Sequence, residues 1–194
     1  MYTYSRLESE KEFTIETVTT ESEQQAAIDG KENAINILAK LNRSEFESVA
    51  EQSVFDQPNF VLFHQGIMRR LLPYNKISLK ILRFKDEPVA ALYSYKDNGT
   101  LHVYQSGFNA ENDQRYSLLN IMLSQEISSS TEDENITRFN FMYSPEEDTY
   151  KKDFSGSSEK MYNIAYDKVC MKSAIYFFIH IRFKNLIKKI LKLI

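Results

Sequence analysis

Between Ile77 and Phe108 the chain reads as strand, turn, strand, turn, strand. Ile77, Leu79 and Ile81 alternate with Ser78 and Lys80, a period of two that predicts a strand with one buried face. Lys85-Asp86-Glu87-Pro88 is a turn, and Val89 to Tyr95 is the next strand. Asn98-Gly99 is the strongest short hairpin signal in the chain, because both residue types accept positive φ. Thr100 to Phe108 is the third strand. Three neighbouring strands with short connections form an antiparallel meander.

The flanks change period. Phe13 to Val18 alternates weakly and suits an edge strand. Thr20 and Glu23 fit a capping box for a helix from Glu21 to Leu41, with Ala27, Ala34, Ile37, Leu38 and Leu41 near one face. Gly30 inside that helix costs about 1 kcal/mol relative to Ala. A polar link, Asn42 to Gln57, leads to Pro58 at a helix start, then Asn59 to Leu72 with Phe60, Phe63, Ile67 and Leu71 at helical spacing, ended by Pro73. After the meander come a polar loop from Asn109 to Arg115 and a helix from Tyr116 to Ser128, with Leu118, Leu119, Met122 and Ile127 on its buried side. A strand from Ile136 to Tyr143 follows; the intervening helix suits a crossover that sets it parallel to the third strand. Ser144-Pro145-Glu146-Glu147 opens another helix, with carboxylates at the positive end of its dipole, and Lys160 to Asp167 is a last strand. The final segment is an amphipathic helix. Ile179, Phe183, Leu186, Ile187, Ile190 and Ile194 fall on one side, and Lys184, Asn185, Lys188, Lys189 and Lys192 on the other.

The expected fold class is therefore α+β (α/β): a mixed, mostly antiparallel sheet flanked by helices, with a domain over 1–168 and a basic amphipathic C-terminal helix over 169–194. A length of 194 residues suits one domain, and 13 Phe and 12 Tyr supply ample core. The single cysteine, Cys170, excludes an internal disulfide and a Cys-based zinc site, and reads as a small buried hydrophobe. Charge is uneven. Residues 169–194 carry Lys172, Arg182, Lys184, Lys188, Lys189 and Lys192 and no acid, leaving the remainder at −9 against −3 for the whole chain. An acidic body argues against nucleic acid as a partner. The stretch from Met1 to Arg6 lacks the apolar core of a leader, and no run approaches the ~18 apolar residues of a membrane span, so the expected location is cytoplasmic. The basic helix over 179–194 suits peripheral contact with an anionic membrane, set against simple packing of its apolar side on the domain.

Most catalytic signatures are missing: there is no G-x-S-x-G, H-E-x-x-H, Walker A or G-x-G-x-x-G motif. His64, His102 and His180 are far apart and lack ligand spacing, so each reads as a satisfied core or surface histidine and no metal site is expected. The unit from Thr100 to Ser128 is the best binding candidate, because a helix N-terminus suits phosphate and Arg115 stands near it. Tyr150-Lys151, beside Glu146, Glu147 and Asp148, mixes groups able to do acid/base work if buried, or forms a solvated helix surface.

One ordered series adds to this. Phe60, Phe63-His64, Ser78-Leu79-Lys80-Ile81-Leu82, Glu87-Pro88-Val89-Ala90, Tyr104-Gln105-Ser106-Gly107-Phe108-Asn109, Phe139-Asn140-Phe141 and Tyr150-Lys151 together resemble the C-terminal part of the CelD/BcsL-like acetyltransferases, a GNAT branch related to the FemAB-type peptidyltransferases. The resemblance runs from about Phe13 to Phe154. It implies a GNAT fold with acetyl-coenzyme A or another acyl-coenzyme A as co-substrate, lying where strands 100–108 and 136–143 splay apart. It implies that backbone groups near Tyr104 to Ser106 face the pantetheine and thioester, that the loop from Asn112 to Ser117 faces the pyrophosphate, and that Gln105, Ser106, Gly107, Asn112, Arg115, Tyr116 and Ser117 bind the cofactor. For catalysis it implies Tyr150 and Tyr104 as proton donors or orienting groups, Glu147 as a base acting through water, and Lys151 against substrate or the developing oxyanion. Relatives commonly place glycine where this chain reads Arg115-Tyr116-Ser117-Leu118-Leu119.

Two functions follow from the resemblance. One is an N-acyltransferase acting on an amino sugar, an amino acid or a surface-polysaccharide precursor. The other is a non-catalytic GNAT-like binding or assembly module in envelope polysaccharide synthesis. Relatives usually carry a further GNAT-like half ahead of this region, so a partner protein supplying that half is also expected.

Overall fold

A computed structural model describes residues 13–110, 117–142, 154, 156 and 157. The described residues up to Gly156 belong to one compact unit. The meander forms as its turns dictate. Strand β2 (Ile77–Phe84) pairs antiparallel with β3 (Glu87–Asp97), and β3 with β4 (Thr100–Phe108). Both hairpins close through two residues at positive φ, Lys85 and Asp86 (51° and 68°) and then Asn98 and Gly99 (44° and 72°). Paired positive φ values twist a two-residue loop in the same sense as its strands. Strand β1 (Phe13–Thr17) joins the β2 edge antiparallel, and β5 (Arg138–Asn140) joins β4 in parallel, giving the order β1-β2-β3-β4-β5. The expected sheet is confirmed, although β5 covers only the middle of the stretch from Ile136 to Tyr143.

The first helical stretch is two helices, α1 (Thr20–Ile28) and α2 (Ala34–Ser48), where sequence periodicity suggests one. Gly30 is the reason. Its φ of +66° ends α1, with Gly30 N–H donating to Ala27 O and Lys31 N–H to Ala26 O, a Schellman closure. The cap of α1 also differs from expectation: Thr19 and Ser22 exchange the capping-box hydrogen bonds, in place of Thr20 and Glu23. Glu23 instead accepts the Ala34 N–H at the start of α2, beside the Asn33 cap on Asn36 N–H. Helix α2 then runs through much of the expected polar link.

Helix α3 (Pro58–Leu71) begins at Pro58 as predicted, but its buried face is turned. His64 and Met68 are buried, while Phe63 and Leu71 are exposed. The last helix, α4, spans Leu118–Thr131.

Helices cover both faces of the sheet. Ile77, Leu79, Ile81, Ala91 and Tyr93 pack with α2, α3 and Phe55 on one side. Leu82, Val89, Ala90 and Leu92 pack with Leu118, Ile121, Met122 and Leu123 of α4 on the other. Hence Ser78 and Lys80, read from the alternation as an outer face, are buried. Lys80 is accommodated under α4 by an ion pair with Glu126 at 2.8 Å and by donation to the Ser129 hydroxyl. The side chains of Lys80 and Glu126 are only 6% and 2% exposed. Removing one member of such a pair leaves the other charged and desolvated. Lys80→Met should therefore cost about 3–5 kcal/mol, whereas Lys80→Met with Glu126→Leu should recover most of that loss. Equilibrium denaturation of the two variants measures the difference.

Candidate active site

Strand β4 is built for something other than continuous pairing. Its register against β3 slips between Tyr93 and Ser94: Tyr93 faces Gln105 and Ser94 faces Val103, so Tyr104 is an extra residue, a β-bulge. On its other edge, β4 pairs with β5 only over Thr100–His102. From Val103 to Phe108 no described residue of β5 runs alongside. Among the described residues the two parallel strands pair for three residues, and that pairing ends just before the bulge.

Helix α2 holds the parted length of β4. Gly107 lies so close beneath α2 that a Cβ there would sit 2.3 Å from Asn42 N and 2.8 Å from Leu41 C, both backbone atoms. Asn42, 2% exposed, donates from Nδ2 to Ser106 O at 2.6 Å, and its Oδ1 accepts from the Ser53 hydroxyl. The far end is set by Asn109 N–H donating to Val89 O at 2.8 Å. Bonded and non-bonded residues alternate along an antiparallel pair, so Ser106 and Phe108 turn their backbone N–H and C=O away from β3, toward the parted edge. An extended acyl carrier with amide groups could pair there as a strand would.

Following β4, Ser117 takes a left-handed conformation (φ 51°, ψ 57°) at the start of α4 and makes no side-chain cap hydrogen bond. Glycine serves such a position without steric cost.

Beside the bulge lies an aromatic cluster on the α2–α3 face. Tyr104 stacks against Tyr95 (4.8 Å between ring centroids), His64 (5.3 Å) and Tyr93 (5.9 Å). Phe60 lies 4.4 Å from the His64 ring. The His64 Nδ1 stands 3.5 Å from the Tyr93 hydroxyl, while its Nε2, also buried, has no hydrogen-bond partner. Burial lowers the His64 pKa, so the ring is neutral at neutral pH. Burial raises all three phenols: Tyr93 to about 12, and Tyr95 and Tyr104 in the same direction. The Tyr95 ring contacts that of Tyr93 as well, at 5.2 Å between centroids.

Of the residues singled out by sequence, Tyr104, Gln105, Ser106 and Gly107 share this parted strand, and Ser117 stands at the following helix start. Asn112, Arg115, Tyr116, Glu147, Tyr150 and Lys151 lie outside the described residues, as do the strand over 160–167, Cys170, His180 and the helix over 179–194. Sequence reasoning passed over Asn42, Tyr93 and Tyr95, and took His64 as unremarkable. The spacing of Tyr93 and Tyr95 on one strand face, with Tyr104 across the hairpin, was the available signal. Among the described residues no group of three or more His, Cys, Asp or Glu could hold a metal ion, and no helix is long and apolar enough to cross a membrane. Two grooves of about 380 and 230 Å³ lie elsewhere; neither has a β4 residue in its lining.

Residues 2–152 match the family model described as Acetyltransferase (GNAT) domain. The chain belongs to the GNAT acetyltransferase family, a family of transferases. Solved structures share the fold at low identity. A predicted acetyltransferase from Clostridium acetobutylicum, solved with acetyl-CoA, aligns at TM-score 0.56 and 8% identity over 79% of this chain and 96% of that one. An aminoglycoside acetyltransferase from an uncultured soil metagenomic sample, in complex with sisomicin, aligns at 0.53 and 18% over 83% and 99%. A possible acetyltransferase from Clostridium difficile 630 aligns at 0.52 and 17% over 81% and 98%. No curated protein matches the chain.

The depressed His64 pKa has a consequence for stability. Between its folded and unfolded pKa the unfolded chain binds the extra proton, so stability falls as pH drops below the unfolded value of about 6.5 toward the folded one. His64→Gln should flatten this acid-side loss. Melting temperatures of both proteins from pH ~7.5 down to ~5 give the slopes to compare.

Proposed function

We propose that this protein transfers an acyl group, acetyl in the first instance, from acyl-coenzyme A to the amine of a small acceptor: an amino sugar, an amino acid or a surface-polysaccharide precursor. Within the GNAT family, the series from Phe60 to Lys151 supports a place near the CelD/BcsL-like and FemAB-related branch. The observation that carries the reading is that β4 pairs with β5 over three residues only, immediately before the Tyr104 bulge.

The chemistry follows from what this strand offers. The Ser106 N–H and the backbone groups of Phe108, turned away from β3, pair with the amides of the pantetheine arm, with Gln105 and Gly107 completing that wall; the Ser106 carbonyl is held by Asn42. Gly107 keeps the wall flat and pressed to α2. Ser117 and the start of α4, with Asn112, Arg115 and Tyr116, receive the pyrophosphate through the partial positive charge of a helix N-terminus. The neutral amine attacks the thioester carbonyl; the C–N bond forms, the C–S bond breaks, and the departing thiolate takes a proton. Tyr104 and Tyr150 are the donors or orienting groups. A phenol held protonated by burial, as Tyr104 is, suits that task. Glu147 acts as base through water, and Lys151 steadies the developing oxyanion.

A second reading, a non-catalytic binding or assembly module in envelope polysaccharide synthesis, is favoured by one feature. The left-handed position at the head of α4 holds Ser117 where glycine would let phosphate approach the backbone freely. Titration calorimetry with acetyl-coenzyme A separates the readings. A transferase should bind it with Kd of about 1 µM to 1 mM, in the usual range of enzyme–substrate constants; no heat at millimolar ligand defeats the catalytic reading. With turnover established, Tyr104→Phe should lower kcat by about 100-fold and leave KM for acetyl-coenzyme A nearly unchanged.

A further inference from the structure

At the start of β4, the end away from Gly107, three connections meet around a groove of about 230 Å³. Its walls are the segment from Tyr74 to Lys76 ahead of β2, the β3–β4 hairpin from Lys96 to Gly99, and the turn from Asp133 to Ile136 ahead of β5. Backbone hydrogen bonds hold these walls in place. Lys96 N–H donates to Lys76 O at 2.9 Å, Thr137 N–H to Gly99 O at 2.7 Å, and Ile136 N–H to Asp133 O at 2.8 Å. The frame of the groove is therefore tied to the sheet itself.

Its side chains are also fixed in orientation. Lys96 donates to Asn75 Oδ1 at 3.0 Å and pairs with Asp133 Oδ2 at 3.2 Å. An ammonium only donates, so the Asn75 oxygen must face it, and the Asn75 Nδ2 is left as a donor. Asn135 gives its Nδ2 and its backbone N–H to Asp133 Oδ1, at 3.0 and 3.1 Å. Its own Oδ1 is left as an acceptor. Donors and acceptors thus stand side by side. The charges of the lining cancel, since Lys76 and Lys96 are matched by Asp97 and Asp133. Tyr74 lines the same groove and is 75% exposed.

We propose that this groove binds one uncharged pyranose ring of a sugar or glycan. A lining whose charges cancel offers no net attraction to an ion. A hydroxyl both donates and accepts, so neighbouring hydroxyls of a sugar match the Asn75 donor, the Asn135 acceptor and the remaining N–H of Lys96. A pyranose also has a face of C–H bonds, whose partial positive charge suits the negative face of the Tyr74 ring. The groove is smaller than the roughly 300–1,000 Å³ of sites for drug-sized ligands, which fits a single ring and leaves no room for a nucleotide. The site goes beyond the transferase reading and does not depend on it. No residue of its lining belongs to β4, and a protein unable to bind acetyl-coenzyme A would still hold a sugar here.

Proton–nitrogen NMR of the full chain tests the assignment, with the methyl pyranosides of glucose, galactose, mannose and N-acetylglucosamine as probes. At least one should shift the amide signals of 74–76, 96–99 and 133–136 saturably, with a Kd of about 1 mM. Tyr74→Phe should keep that affinity within about twofold, and Tyr74→Ala should weaken it about tenfold, because the ring carries the stacking. Both changes fall on an exposed side chain, so the fold survives them. Methyl glucuronide, the same ring with one negative charge, should bind no more tightly than the glucoside. The absence of saturable shifts at these amides with every probe at ~100 mM overturns the site. Equal affinity of wild type and Tyr74→Ala overturns it as well. A preference of about tenfold or more for the glucuronide overturns the uncharged ligand. Calorimetry with acetyl-coenzyme A is read separately, so failure of the transferase reading leaves this result standing.

Discussion

The contact between Gly107 and the backbone of Asn42 is the constraint on which the rest of the structure hangs. Two backbones can approach so closely only where a side chain is missing, and the projected Cβ at 2.3 Å from Asn42 N shows how little room remains. The contact fixes the height of α2 over β4. It lets Asn42 reach Ser106 O and Ser53, so a buried amide is satisfied while it holds the strand. It also supports β4 beyond the three residues that pair with β5. A sheet edge without a strand beside it is normally a liability. Here a helix steadies the strand from one face, and its Asn42 holds the Ser106 carbonyl.

The sheet between two helical layers explains why polar residues sit where a half-exposed meander would show them to water. Lys80 lies under α4, and its partner Glu126 is carried on that helix, so neither charge is affordable alone. The bulge at Tyr104 has a parallel effect on the opposite face. By adding one residue to β4, it sends the Tyr104 ring into the cluster of His64, Tyr93 and Tyr95 while Val103 stays with the α4 core. Irregularity in one strand therefore sets the Tyr104 ring against the buried His64.

Much of the scaffold was legible from local chemistry. Asn98-Gly99 marked a hairpin, Pro58 marked a helix start, and the helix between β4 and β5 marked a parallel crossover. Each acts over a few residues and needs no tertiary contact. Errors arose where a residue had two local uses. Gly30 was read as a tolerated helical glycine, whereas the Schellman bonds of Gly30 and Lys31 show that it ends α1. The helical spacing of Phe60 and Phe63 pointed to one face of α3, yet the face that packs is centred on His64 and Met68, set by what lies beneath it. For the site, the Tyr104-Gln105-Ser106-Gly107 run was found by resemblance, but the reason for its shape was not. A bulge is a register relation between two strands, and a one-residue slip leaves no mark in either strand alone.

By itself the sequence determined the meander, the identity of its turns, the order of helices and strands, and the residues that make up the parted strand. These depend on backbone preferences and on the spacing of apolar side chains, both of which are local. The tertiary structure alone decided that both faces of the sheet are covered, that β5 pairs with β4 only as far as His102, that α2 rests on Gly107, and that His64 meets one tyrosine from each of two strands. Those outcomes depend on contacts between segments distant in the chain, where burial and close packing, rather than local preference, set the balance.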